Sequence, residues 1–167
     1  MSADTAFPDN PAPRFAVAHL GARMHYAVPR ILHAGGMLER LYTDIVAPSG
    51  LLGGLLHRFT ANEPLRRVLA RVPDGIPRTK IVQFPGIALE YYRRQSAARS
   101  APELSSTHLW VGREFGRRVI EHGLGQALGV YTFNSAGLEL LQYARARGLL
   151  TVVEQTRSLT AWFCTCT

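Results

Sequence analysis

The chain reads as an α/β protein: a doubly wound, mostly parallel sheet with flanking helices. Three observations carry that reading. Short apolar runs ending in glycine or a polar turn recur along the chain, with stretches of helical spacing between them. The last third follows the order strand, short loop, helix, glycine, strand from Leu128 to Val153, the pattern of a parallel βαβ crossover. The 167 residues are 47% apolar and 19% charged, enough for one packed core and unlike a long disordered chain.

Each element has its own signals. Residues 1–13 hold Pro8, Pro11 and Pro13 and no apolar core segment, so they read as a disordered leader. Residues 14–19 form an apolar run ending at Gly21, the pattern of a buried parallel strand. Helical spacing follows over 24–34, where Pro29 kinks the helix unless it lies in the first turn; Gly35-Gly36 ends it. A second strand is expected over 38–46, then a turn at Pro48-Ser49-Gly50. Residues 51–59 and 62–72 read as helices, the second capped by Asn62 with Pro64 in its first turn. After the turn Pro73-Asp74-Gly75 come a strand over 80–84 and a helix over 87–99. Ser100-Ala101-Pro102 is expected to be a break, and a long helix to run over 106–122 and stop at Gly123. The closing unit is a strand over 128–133, a helix capped by Asn134 or Ser135 with Leu138, Leu141, Tyr143 and Ala144 as its apolar face, Gly148, and a strand over 149–153.

Charge and cysteine usage narrow the function. Lys+Arg number 19 against 12 for Asp+Glu, a formal net charge of +7, and Lys80 is the single lysine. Such an excess suits an anionic partner: nucleic acid, a phosphate-bearing ligand or a membrane surface. The arginines are spread from Arg14 to Arg157 without a run of five, so there is no basic tail. In Tyr91-Tyr92-Arg93-Arg94 the aromatic and basic residues are helix neighbours that do not share a face, which speaks against nucleic acid. No secretory signal opens the chain, and no run reaches the ~18 apolar residues of a membrane-spanning helix. The two cysteines, Cys164 and Cys166, exclude a disulfide framework and a Cys-rich zinc site. The expected compartment is the cytoplasm.

In open α/β sheets ligands bind where the strands end in loops and helix N-termini. Three segments belong there. The first is 19–26, with His19, Gly21 and His25; its imidazoles can exchange protons and its glycine permits close backbone approach. The bland alternative is a plain turn with surface histidines. The second is 133–137, where Asn134 and Ser135 offer hydrogen bonds to a sugar or phosphate, although capping alone explains both. The third is 153–156, where Glu154 is an acid/base or a hydroxyl acceptor, against the alternative of a solvated strand end. His19 and His25 have no Cys or acidic partner to complete a metal site, so no metal is expected. A single glycine makes no dinucleotide fingerprint, and there is no P-loop and no nucleophile elbow, so no cofactor is expected.

Residues 22–44, from Ala22-Arg23-Met24-His25-Tyr26 to Gly36-Met37-Leu38-Glu39-Arg40-Leu41-Tyr42-Thr43-Asp44, resemble the start of bacterial glycosyltransferases of the two-domain GT-B type, close to family 4. Val130-Tyr131-Thr132-Phe133-Asn134-Ser135-Ala136-Gly137, Gly148 and Val152-Val153-Glu154-Gln155-Thr156 are similar to the later βαβ unit of the same half. The resemblance covers 14–156 and implies a Rossmann-like acceptor-side domain, one half of a GT-B architecture. It implies transfer of a hexose from a nucleotide-sugar to a glycan or lipid-linked acceptor, with the donor held by a second domain. The donor-binding acidic motif has no counterpart here, so the short chain is expected to be inactive alone and the donor to be a partner only when a second domain is supplied. Relatives place a catalytic histidine after the strand corresponding to 149–153. Here Glu154-Gln155 stand there, and no catalytic residue is carried over. The residues carried over as acceptor contacts are His19, Gly21, His25, Asn134, Ser135 and Glu154.

The resemblance also implies peripheral contact with the inner face of the membrane, helped by the arginine excess and the apolar stretch 51–56. Residues 157–167 have no structural period and hold both cysteines, and are expected to be an aberrant tail from truncation or a frameshift. A reading from another class is a small α/β binding module for phosphorylated ligands or nucleic acid. It requires Arg71, Arg93, Arg94, Arg117 and Arg118 to converge on one patch. A third is a decayed reading frame with no function.

Overall fold

The computed structural model describes residues 12–47, 71–134 and 137–155. β1 (Phe15–His19) leads through a tight turn (Arg23–Tyr26) into α1 (Ala27–Ala34) and β2 (Leu38–Thr43). A single 3-10 turn (Arg78–Lys80) precedes β3 (Ile81–Gln83), followed by α2 (Pro85–Ala97) and α3 (Ala101–His122). β4 (Gly129–Phe133), α4 (Leu138–Ala146) and β5 (Leu150–Glu154) complete the described part.

All five strands are parallel, in the order β3-β2-β1-β4-β5. The chain winds outward from β1 through β2 to β3, then returns to the other side of β1 and winds outward again through β4 to β5. This is the expected doubly wound, Rossmann-like α/β arrangement, with its switch point between β1 and β4. β1 is central and buried because both its edges are paired and both its faces are covered.

The sheet buries two apolar faces. On one, Ala16, Ala18, Tyr42 and Val130 pack with Ile87 of α2, Val111, Phe115 and Val119 of α3, and Leu140 and Ala144 of α4. On the other, Val17 and Leu41 pack with Tyr26, Leu38, Val46 and Ile76. Gly129 opens β4 where a Cβ would lie 2.5 Å from the Phe15 ring and 3.0 Å from the Leu150 Cβ, so a side chain there would have to displace the Phe15 ring.

Several boundaries differ from expectation, each for a physical reason. The helix expected over 24–34 begins only at Ala27. Met24, His25 and Tyr26 have φ of 49°, 49° and 58°, a left-handed turn anchored by the buried Tyr26 ring. This start puts Pro29 in the first turn of α1, where it is tolerated. Ser100-Ala101-Pro102 is a helix start rather than a break. The Ser100 hydroxyl accepts the Glu103 N–H at 3.4 Å, the Glu103 carboxylate accepts the Arg99 N–H at 2.7 Å, and Pro102 lies in the first turn.

β2 ends at Thr43 instead of 46, because Asp44 turns into a buried ion pair. Lys80 lies in the 3-10 turn and its ammonium donates to the Leu38 carbonyl at 2.6 Å. α4 starts at Leu138 behind Gly137, without a side-chain cap, and it buries Leu140 and Ala144 while Leu138 is exposed. Asn134 does not cap it; its N–H donates to the Glu154 carbonyl at 3.1 Å, in line with the β4–β5 pairing. The helix expected over 51–59, residues 62–70 of the helix expected over 62–72, the turn at 48–50, the leader up to residue 11 and the tail 157–167 lie outside the described residues. Arg71 and Val72 are not helical. No helix among the described residues is long and apolar enough to cross a membrane.

Candidate functional site

The parallel strands bring their carboxyl-end turns to one end of the sheet. At the end of β1 sits His19, buried, its ring stacked on Phe133 of β4 with centroids 4.2 Å apart and edge-on to Tyr26 at 5.2 Å. The His19–Phe133 stack spans the switch point, because β1 and β4 are neighbours in the sheet. Both rings are buried, so the stack is a core contact, and burial denies this imidazole the free access to solvent that His25 has.

The β1–β2 side of this end of the sheet is tied down. Gly21, with φ of 85°, donates its N–H to Asp44 Oδ1 at 3.0 Å. Asp44 Oδ1 also accepts the Thr43 hydroxyl at 3.2 Å, and Oδ2 accepts the Arg71 guanidinium at 2.6 Å. The Tyr26 hydroxyl reaches the Ile45 carbonyl and shares a contact with Thr43 Oγ1, both at 3.4 Å. Burial pushes the Tyr26 phenol up to about 12, opposed by the Thr43 hydrogen bond. Between these two anchors Met24 and His25 stand exposed on the left-handed turn, and the His25 N–H closes the turn onto the Ala22 carbonyl at 3.2 Å.

The β4–β5 side is more open. Glu154 is half-buried at the end of β5, and its Oε2 accepts the Tyr131 hydroxyl at 2.7 Å. Desolvation first, then this hydrogen bond and the carboxylate's charge, push the Tyr131 phenol up to about 12, so it remains a donor at neutral pH. The carboxylate keeps further acceptor sites for a ligand hydroxyl. Asn134 is exposed beside it, and Ser135 lies outside the described residues.

The expected residues therefore fall into two groups. Gly21 and His25 belong to the β1–β2 side, Asn134 and Glu154 to the β4–β5 side, and His19 joins them through Phe133. Asp44 and Arg71, which organise the first group, were not among the expected site residues. Their one signal in the sequence is an acidic residue directly after a strand, Tyr42-Thr43-Asp44. No group of three or more His, Cys, Asp or Glu side chains that could hold a metal ion occurs among the described residues.

The five arginines on which the binding-module reading depends are ion-paired within the chain. Arg71 is on Asp44, Arg93 and Arg94 share Glu90, and Arg117 and Arg118 share Glu114. Arg71 lies at the end of β2, the other four on α2 and α3. Searches against protein-family models, curated proteins and solved structures give no match to this chain.

Proposed function

We propose that this chain is the acceptor-side half of a two-domain glycosyltransferase, holding a glycan or lipid-linked acceptor at the carboxyl ends of β1 and β4. The observation that supports it best is the convergence at the switch point. There the exposed His25 on the loop after β1 and the half-buried Glu154 at the end of β5 offer hydrogen-bonding groups at the carboxyl end of one parallel sheet, where a hydroxyl-rich ligand can be met. On this reading Glu154 accepts an acceptor hydroxyl, with Tyr131 fixing its orientation, and Asp44 holds the loop that carries His25.

The donor nucleotide-sugar is a ligand of a second domain, and the isolated chain does not turn it over. The inner-face membrane contact belongs to the same proposal, through a lipid-linked acceptor. Saturation-transfer NMR with a panel of neutral oligosaccharides tests the acceptor site. Contact is expected with wild type and is lost in Glu154→Gln and in His25→Ala, while a nucleotide-sugar alone gives none. Tight nucleotide-sugar binding by this chain, or oligosaccharide contact indifferent to both substitutions, sinks the reading.

A further inference from the structure

A cleft lies at the carboxyl end of β3, between α2 and α3. It has a volume of about 430 Å³, within the range of small-molecule sites. Its apolar part is Phe84 and the half-buried Trp110, whose ring carries the Arg94 guanidinium 4.1 Å from its centroid. Its polar part is Glu90, Glu114 and Arg118.

The charges in this cleft are matched before any ligand arrives. Glu90 accepts from Arg93 and Arg94 at 2.7 Å, and Glu114 accepts from Arg117 and, at 3.0 Å, Arg118. These arginines hold the Glu90 carboxyl down at about 2 and Glu114 below the usual range, so both are ionised acceptors at neutral pH. An anion entering here meets two carboxylates, and a cation meets Arg118 and Arg94; neither finds an unbalanced opposite charge. Each carboxylate still has acceptor capacity beyond its arginine bonds, and Arg118 has further donors. Hydroxyl groups satisfy both, because they donate and accept, and an aromatic wall suits the C–H face of a saturated ring.

We propose that the α2–α3 cleft binds a neutral, hydroxyl-rich ring compound, with its C–H face on the Phe84–Trp110 wall and its hydroxyls on Glu90, Glu114 and Arg118. Its lining shares no residue with the site at the ends of β1, β4 and β5, and the proposal does not depend on the reading given to that site. Trp110 reports on it directly once the other tryptophan is removed by Trp162→Phe.

In that background, Trp110 emission is titrated with methyl β-glucoside, with glucose 1-phosphate and with glucosamine. The neutral glycoside quenches saturably, and the two charged sugars bind about tenfold more weakly. Glu114→Gln weakens the glycoside by about tenfold while circular dichroism stays unchanged. Ligand-observed NMR in Trp110→Ala gives a readout that does not use the fluorophore, and the glycoside signal is lost. The proposal is overturned by absence of saturable quenching, by a charged sugar binding as well as the neutral one, or by indifference to Glu114→Gln in a folded variant.

Discussion

Val17 and Val152 occupy the same row of the sheet, each the register partner of Tyr131, one on β1 and one on β5. Val17 is fully buried, whereas Val152 is 36% exposed. Around Val17 the β1–β2 end is closed by the turn 22–26, α1 and the Asp44–Arg71 pair. Around Val152 the strand is open, with Leu150 and Val153 also exposed. The same residue type in the same kind of apolar run thus contributes to a core at one place and to a bare edge at the other. Strand identity follows from local sequence; burial follows from position in the strand order.

The comparison is easiest to break at its tightest point. Asp44→Ala leaves the Arg71 guanidinium without its partner and frees the Gly21 N–H and Thr43 hydroxyl, and is expected to cost about 3 kcal/mol in urea unfolding. A cost near that of a surface change would show that the β1–β2 end is not held by this pair.

Val17→Ala is expected to lose about 2 kcal/mol through lost burial and a residual cavity, and Val152→Ala about 0.5 kcal/mol. Equal losses would mean that β5 is as well covered as β1.

The phenols sharpen the same contrast with pH. Tyr26 and Tyr131 both have folded-state values near 12, above the ordinary tyrosine value of 10, so the fold favours their neutral forms. That stability is fully present below pH 10 and is lost as pH rises through about 12. Tyr26→Phe flattens this loss, by about 3 kcal/mol between the two limits. Tyr131→Phe flattens it less, since Tyr131 is closer to solvent. Denaturant midpoints across this range, compared between the two variants, check the order.

The smallest effect tests the strained turn. Met24 is exposed with φ of 49°, so Met24→Gly relieves strain without emptying a core site and is expected to stabilise by about 0.5–1 kcal/mol. Destabilisation would mean that the left-handed run is not held against its own preference.

Much of this was legible from residues alone. The β1, β4 and β5 runs, the glycine stops at Gly36, Gly123 and Gly148, and the placement of His19, Gly21, Asn134 and Glu154 at one end of the sheet follow from apolar patterning and the parallel alternation. The helix start at Ala101 was obscured because Ser100, Ala101 and Pro102 suit a break as well as a cap with a first-turn proline; Glu103 three residues on was the available signal. The left-handed turn at 24–26 had no signal, since none of the three residues is glycine or asparagine and the strain is held by remote contacts of Tyr26 with Thr43 and Ile45.

Local chemistry accounts for which segments become strands and helices and for the fold class, because backbone propensity and apolar period act within a few residues. Strand order was settled only in three dimensions, and with it the His19–Phe133 stack, the Asp44–Arg71 anchor, the Tyr131–Glu154 pair and the cleft between α2 and α3. Each of these joins groups separated in sequence by 23 residues or more, apart from the cleft between its two helices. Such contacts depend on which strands become neighbours, and no short window of sequence carries that information.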